Sequence, residues 1–129
     1  MIAFLVDTDW MSEFLNGREQ AIEVLSPILD HGVAISIITY AELFEGVSDL
    51  PGTDPRRGSL DAMAEKFDVI GVDDETARVF GRLRSDLRRR GQRIPDLDCL
   101  IAATALRHDL VLVSRDKHFD RVPGLRRHS

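Results

Sequence analysis

Four acidic side chains in this sequence stand next to strongly apolar segments. They are Asp7, Glu42, Asp98 and Asp116. If the segments preceding Asp7, Glu42 and Asp116 are parallel strands, the residues beyond them gather at one edge of the sheet, where open α/β sheets bind ligands. Crowded carboxylates repel each other, and hard divalent cations prefer oxygen ligands. The four acids therefore predict a site for a divalent cation.

Each acid also has a purely structural explanation. Aspartate is favoured at helix N-caps, which would account for Asp7. Glu42 would complete a capping box that begins at Thr39. Asp98 and Asp116 would each complement the dipole in a first helical turn. Capping does not explain why the acids share one edge of a sheet, so we favour the shared site, and Glu42 has the strongest structural alternative.

The apolar segments alternate with helix-length segments, which is the pattern of βαβ units around a parallel sheet. The pattern predicts strands at 2–6, 33–37, 69–72 and 110–113, with a short edge strand at 125–127. It predicts helices at 8–15, 19–29, 39–47, 57–67, 74–90 and 96–108, the second ended early by Pro27 and the last capped by Asp96. We expect one domain over residues 1–129, a three-layer α/β/α sandwich with a central parallel sheet of four or five strands.

A nearly all-apolar helix is predicted directly behind Asp98. Residues 100–106 are apolar on almost every helical face, so this helix must be deeply packed. Deep packing would hold Asp98 rigidly near the sheet edge, as a metal site requires.

Composition narrows the class of protein. No apolar stretch approaches the ~20 residues of a membrane span, and no basic region precedes the first apolar run as in a signal peptide. We therefore expect a cytoplasmic protein with no membrane partner.

A single cysteine, Cys99, excludes an internal disulfide and a thiol-rich zinc site. The net charge is −5, yet an arginine-rich segment holds Arg88, Arg89 and Arg90, which are candidates for RNA-backbone contacts or simply a solvated helix face.

Four blocks of the sequence resemble those of PIN-domain ribonucleases, in the same order. The blocks are Leu5-Val6-Asp7-Thr8; Thr39-Tyr40-Ala41-Glu42-Leu43 followed by Gly46; Pro95-Asp96-Leu97-Asp98-Cys99-Leu100-Ile101-Ala102-Ala103; and Leu112-Val113-Ser114-Arg115-Asp116 with Phe119 and Val122-Pro123-Gly124-Leu125. Their order, spacing and total length are most similar to the VapC toxins of prokaryotic toxin–antitoxin pairs. The resemblance covers the whole chain and implies a PIN-like fold.

The resemblance also implies a function and partners. It implies a Mg²⁺- or Mn²⁺-dependent endoribonuclease that hydrolyses RNA, such as tRNA or ribosomal RNA, by metal-activated water. The catalytic and metal-binding acids would be Asp7, Glu42, Asp98 and Asp116, with hydroxyl groups of Thr39 and Ser114 nearby. The implied partner is a cognate VapB-type antitoxin. The resemblance also implies that this chain forms a homodimer and joins the antitoxin in a toxin–antitoxin hetero-oligomer. No histidine is obviously placed as a general base, although His118 lies close to Asp116 in sequence.

Two other functions compete with the nuclease. Asp7-Thr8-Asp9 after an apolar strand resembles the nucleophile motif of haloacid-dehalogenase-like phosphatases, which also need a downstream lysine and a larger chain. Lys66 and Lys117 are the only lysines here. The other alternative is a catalytically inactive PIN fold that only binds a partner or RNA. The presence of all four acids favours the nuclease.

Overall fold

The computed structural model describes residues 1–128, and within them a five-stranded parallel sheet is covered by helices on both faces. The strands are β1 (Phe4–Val6), β2 (Val33–Ser36), β3 (Asp68–Ile70), β4 (Val111–Val113) and β5 (Arg127–His128). The helices are α1 (Thr8–Leu15), α2 (Glu19–Leu25), α3 (Ile37–Ser48), α4 (Pro55–Lys66), α5 (Asp74–Arg89) and α6 (Asp96–Arg107), with 3₁₀ helices at Ser26–His31 and Lys117–Arg121. The predicted fold class is confirmed. Among the described helices, none has the length and apolar character that crossing a bilayer requires.

The strand order places a switch point at the centre of the sheet. The order is β3-β2-β1-β4-β5, so the chain moves outward from β1 through β2 and β3 and then returns to the other side of β1. β1 pairs with β4 in parallel register, Leu5 opposite Leu112 and Val6 opposite Val113. Ligands of open α/β sheets bind beyond the strand ends at such a point. The residues after β1 and β4 therefore occupy the favoured place for a site.

The two faces of the sheet bury separate apolar clusters, because successive strand residues point to opposite faces. Leu5 and Leu112 pack under α5 and α6. Val6 and Val113 pack under α1 to α4. All four side chains are completely buried, and each contributes roughly 1.5–3 kcal/mol by leaving water. The short strands at the centre of the sheet are thereby fixed from both sides.

Helix α6 is buried as its apolar sequence predicts. Residues 101–105 have no exposed surface. The helix packs mainly against α5, and its first turn carries Asp98. The buried body of α6 thus sets the position of Asp98.

The predicted capping box at Thr39 is wrong. Helix α3 begins at Ile37, and its N-cap is Ser36, whose Oγ accepts a hydrogen bond from the Ile38 N–H at 2.9 Å. Ser36 ends β2 in an extended conformation, so its hydroxyl reaches the first free amides before Thr39 can. Thr39 lies inside the helix and is completely buried. The structural alternative for Glu42 therefore loses its basis.

The predicted cap of α6 is also wrong. The N-cap is Pro95 and makes no side-chain capping bond. Asp96 already lies in the helix, and its carboxylate pairs with Arg84 at 2.9 Å. Pro27 acts as predicted: α2 ends at Leu25 and continues only as a 3₁₀ helix.

Candidate active site

Asp7 is a buried carboxylate at the end of β1. Its backbone N–H continues the sheet by donating to the Val113 carbonyl at 3.0 Å. Its Oδ2 accepts a hydrogen bond from Ser114 Oγ at 2.7 Å, and its Oδ1 accepts one from the Thr8 N–H at 2.8 Å. Burial raises the pKa of Asp7 to about 6, against the opposing effect of those two hydrogen bonds, and repulsion by Asp98 adds to the rise. Burial in the folded protein therefore destabilises the charged form of Asp7.

The four predicted acids act on one another electrostatically. Burial is the main cause that raises the pKa of Asp98, and the charges of Glu42 and Asp116 raise it further, while His118 opposes them. Asp98 in turn raises the pKa of Asp7. The acids come from β1, α3, α6 and the segment after β4. Tertiary structure therefore brings the predicted residues together.

Glu42 is held by a hydroxyl group that the sequence did not single out. Thr8 Oγ1 donates to Glu42 Oε1 at 2.7 Å, and it lies 3.1 Å from Thr39 Oγ1 in a second hydrogen bond. This network joins the start of α1 to the second turn of α3. The sequence signal for Thr8 was its place directly after Asp7. Thr39 is near the site, as the resemblance implies, but it reaches the acids through Thr8.

Ser114 connects the acids that follow β1 and β4. Besides donating to Asp7, its Oγ accepts a hydrogen bond from the Asp116 N–H at 3.1 Å. Ser114 is completely buried, so its hydroxyl has a fixed direction. The hydroxyl expected near the site at this position thus contacts one acid directly and orients the backbone of another.

His118 is the residue of the site that sequence reasoning placed least well. Its Nδ1 lies 2.9 Å from Asp116 Oδ1, and its Nε2 lies 2.8 Å from Asp98 Oδ2. Nε2 is buried and has no aligned hydrogen bond despite that short distance. The spacing Asp116-Lys117-His118 indicated the first contact. The contact with Asp98, twenty positions away in sequence, had no local signal.

The donor set suits a hard divalent cation. One ligand atom each from Asp98, Asp116 and His118 lies within 4.8 Å of the others. Within residues 1–128, no arginine or lysine forms an ion pair with any of the four acids. Carboxylates that repel one another and lack an arginine or lysine partner are stabilised by a bound cation. The residues present therefore fit the ion that the sequence predicted.

The guanidinium group of Arg115 is directed away from the acids. Arg115 lies between Ser114 and Asp116, but its guanidinium stacks on Trp10 at 4.3 Å and lies 2.9 Å from Glu13. This arrangement keeps its charge engaged on α1.

The arginine segment at the end of α5 is exposed. Arg88, Arg89 and Arg90 all lie on the surface. Arg89 and Arg90 are 3.7 and 3.2 Å from the Asp86 carboxylate. Such exposed pairs contribute little stability, so these guanidinium groups are free to exchange partners with a phosphate backbone. An RNA-binding role for them stays a prediction.

Comparison with known proteins identifies the family of this chain. The PIN domain family matches residues 4–125. Ribonuclease VapC5 of Mycobacterium tuberculosis is 34% identical over 95% of this chain and 89% of its own length. The tRNA(fMet)-specific endonuclease VapC of Salmonella typhimurium is 25% identical over 98% of this chain and 96% of its own length.

A solved structure shows the same architecture. The crystal structure of VapBC2 from Rickettsia felis, bound to a DNA fragment from its promoter, contains a chain that is 26% identical to this one. The two superpose with a TM-score of 0.88, covering 98% of each chain. The family match, the identity to VapC ribonucleases and the shared fold agree, and the chain belongs to the PIN domain family and, within it, to the VapC ribonucleases.

Proposed function

We propose that this chain is a metal-dependent endoribonuclease that acts as the toxin of a type II toxin–antitoxin pair. Its active site comprises Asp7, Glu42, Asp98 and Asp116. The observation that carries the proposal is the meeting of these acids, from distant segments, beyond the ends of β1 and β4 without an arginine or lysine partner. The names of the VapC relatives support the same activity.

The ion is Mg²⁺ or Mn²⁺ in this proposal, and when bound it supplies activation of water and neutralisation of charge on the phosphodiester. Asp7 and Asp98 are its firmest ligands, because burial fixes the first and the packed α6 fixes the second. Glu42 and Asp116 complete the site directly or through retained waters, which Mg²⁺ commonly keeps. Ser114 and Thr8 hold the carboxylates in place.

RNA is the substrate class, and tRNA is the form we favour. The Salmonella relative is named a tRNA(fMet)-specific endonuclease, which supports tRNA over ribosomal RNA. Exposed Arg88, Arg89 and Arg90 would contact the backbone, because phosphate contacts supply most sequence-independent affinity. Changing all three to alanine in a cleavage-deficient background is expected to weaken RNA binding and flatten its salt dependence. Arg78→Ala, at the other end of α5, is the control, and an unchanged salt slope in the triple variant would exclude the role.

The protein partner is a VapB-type antitoxin, in a complex that also contains a toxin homodimer. The VapBC2 structure supports the pairing with an antitoxin. A groove between α1, α3 and α4 opens beside Thr8 and Glu42, and Leu43 and Leu60 form its apolar floor. An amphipathic antitoxin segment would fit this groove, and a basic side chain on it would reach the carboxylates.

The decisive experiment compares RNA cleavage by purified wild type and two isosteric variants. Asp7→Asn and Asp98→Asn should each abolish cleavage in Mg²⁺ or Mn²⁺, whereas Asp30→Asn should not. Asp30 is an exposed control that precedes β2 and so lies toward the opposite edge of the sheet. Robust cleavage by either site variant would refute the assignment. Phosphate release from a small phosphoester without RNA cleavage would favour the phosphatase, and metal binding without either activity would favour an inactive PIN fold.

A further inference from the structure

The imidazole of His118 occupies the space between two of the acids. Its two ring nitrogens lie 2.8 Å from Asp98 and 2.9 Å from Asp116. The ring packs on Phe119, with 5.0 Å between ring centroids, and Phe119 is itself buried in the core. At the start of the 3₁₀ helix that carries His118, the His118 backbone N–H donates a hydrogen bond to Asp116 Oδ1 at 3.3 Å. Backbone and ring contacts therefore hold the imidazole toward the site.

We propose that His118 Nε2 is a ligand of the divalent ion beside Asp98, and that Asp116 positions the imidazole through Nδ1. The proposal rests on the proposed function, since it concerns the same ion. It adds a nitrogen donor to a site that the family resemblance describes only in carboxylates. It also gives Asp116 a role distinct from that of Asp98.

The position of Nε2 favours a bound ion. Nε2 is buried, and although Asp98 Oδ2 lies 2.8 Å away, the two atoms are not aligned as a hydrogen bond. An ion shared with Asp98 would satisfy this nitrogen. Two neighbouring ligands of an octahedral ion with bonds of roughly 2.1 Å lie about 3 Å apart. The observed 2.8 Å between Nε2 and Asp98 Oδ2 matches that spacing.

The contact of Nδ1 also favours metal binding by Nε2. Metal-bound histidines almost always direct their other ring nitrogen to a carboxylate, carbonyl or water, which fixes the tautomer and the ring plane. Nδ1 lies within hydrogen-bond reach of Asp116 Oδ1, at 2.9 Å. An ion bound between Nε2 and Asp98 would therefore complete a carboxylate–histidine–metal arrangement, with Asp116 as the carboxylate.

A nitrogen ligand changes which ion the site prefers. Mg²⁺ favours oxygen donors, whereas imidazole binds transition-metal ions more strongly. We expect the wild type to bind Mn²⁺ more tightly than Mg²⁺. His118→Gln should lower Mn²⁺ affinity about tenfold and affect Mg²⁺ affinity less. Calorimetric titration with each ion measures both values without reference to activity.

Pulsed electron paramagnetic resonance on the Mn²⁺-loaded, untagged protein tests the ligand directly. Wild type should show nitrogen modulation that changes when only histidine is labelled with ¹⁵N. The modulation should disappear in His118→Gln and persist in His31→Gln. His31 is exposed, precedes β2 and provides the matched control. Melting curves confirm that each variant is folded.

The outcomes separate this proposal from the proposed function. Mn²⁺ binding without a histidine signal in wild type, or a signal that survives in His118→Gln, would refute the role of His118 and leave the nuclease intact. A histidine signal with no RNA cleavage would support His118 and overturn the nuclease. Failure to bind either ion would overturn both. A wild-type spectrum without a histidine signal refutes the role of His118 even if the variant is poorly folded.

Discussion

Replacing Asp7 by asparagine should make the metal-free protein more stable while abolishing its activity. Asp7 has only 6% of its surface exposed, and burial raises its pKa from 3.8 to about 6. An acid whose pKa is raised on folding binds its proton more tightly in the folded state. Its ionisation therefore lowers the free energy of unfolding as pH rises through the window from 3.8 to about 6. Asparagine removes that charge and keeps the shape.

The size of the effect follows from the pKa shift. At ~1.4 kcal/mol for each pKa unit, a rise from 3.8 to about 6 costs about 3 kcal/mol at pH 7. At pH 5 the folded carboxyl is largely protonated, so roughly half of that cost applies. Near pH 3 the carboxyl is protonated in both states and the cost vanishes. The loss of bonding to Ser114 and Thr8 would reduce the gain, which we place at about 1–3 kcal/mol at neutral pH.

Urea denaturation of wild type and Asp7→Asn, in chelator and at equal protein concentration, measures the difference. The variant should be more stable at pH 7, and its advantage should shrink toward pH 4. Adding saturating Mn²⁺ should stabilise wild type, by mass action on the folded state, and leave the variant nearly unchanged. Asp30→Asn is the control for a carboxylate outside the site. A variant no more stable than wild type at pH 7, or an advantage independent of pH, would refute the reasoning.

Three further substitutions test the contacts around the acids. Ser114→Ala should lower Mn²⁺ affinity about tenfold in calorimetry, because Asp7 loses the 2.7 Å hydrogen bond. Ser114→Thr should restore the affinity. An unchanged affinity in Ser114→Ala would contradict the role of this hydrogen bond. Thr8→Val should slow RNA cleavage under single turnover about tenfold, because Glu42 loses its donor at 2.7 Å, whereas Thr8→Ser should stay near wild type. Ser36→Ala should cost about 1 kcal/mol in urea denaturation, because the N-cap bond of α3 is lost; no loss of stability would mean that Ser36 does not cap α3.

The order of helices and strands could be predicted because it depends on local pattern. Helix α1 has the predicted bounds, and the apolar run behind Asp98 forms the buried helix expected of it. The prediction of a capping box at Thr39 failed for a local reason as well. Thr39 and Glu42 match the spacing of a capping box, but Ser36 stands three residues earlier and takes the cap. Spacing alone does not show which of two eligible residues ends the strand.

The amino-acid sequence by itself determined which acids are candidates for the site, the parallel sheet, and the edge of the sheet at which the acids lie. Hydrophobic periodicity and chain order specify these features. Only the tertiary structure decided the partners of each acid. Ser114 reaches Asp7 across 107 positions and Thr8 reaches Glu42 across 34. His118 meets Asp98 only because the segment after β4 folds over the start of α6. Such contacts depend on packing between distant elements, and no local pattern carries them.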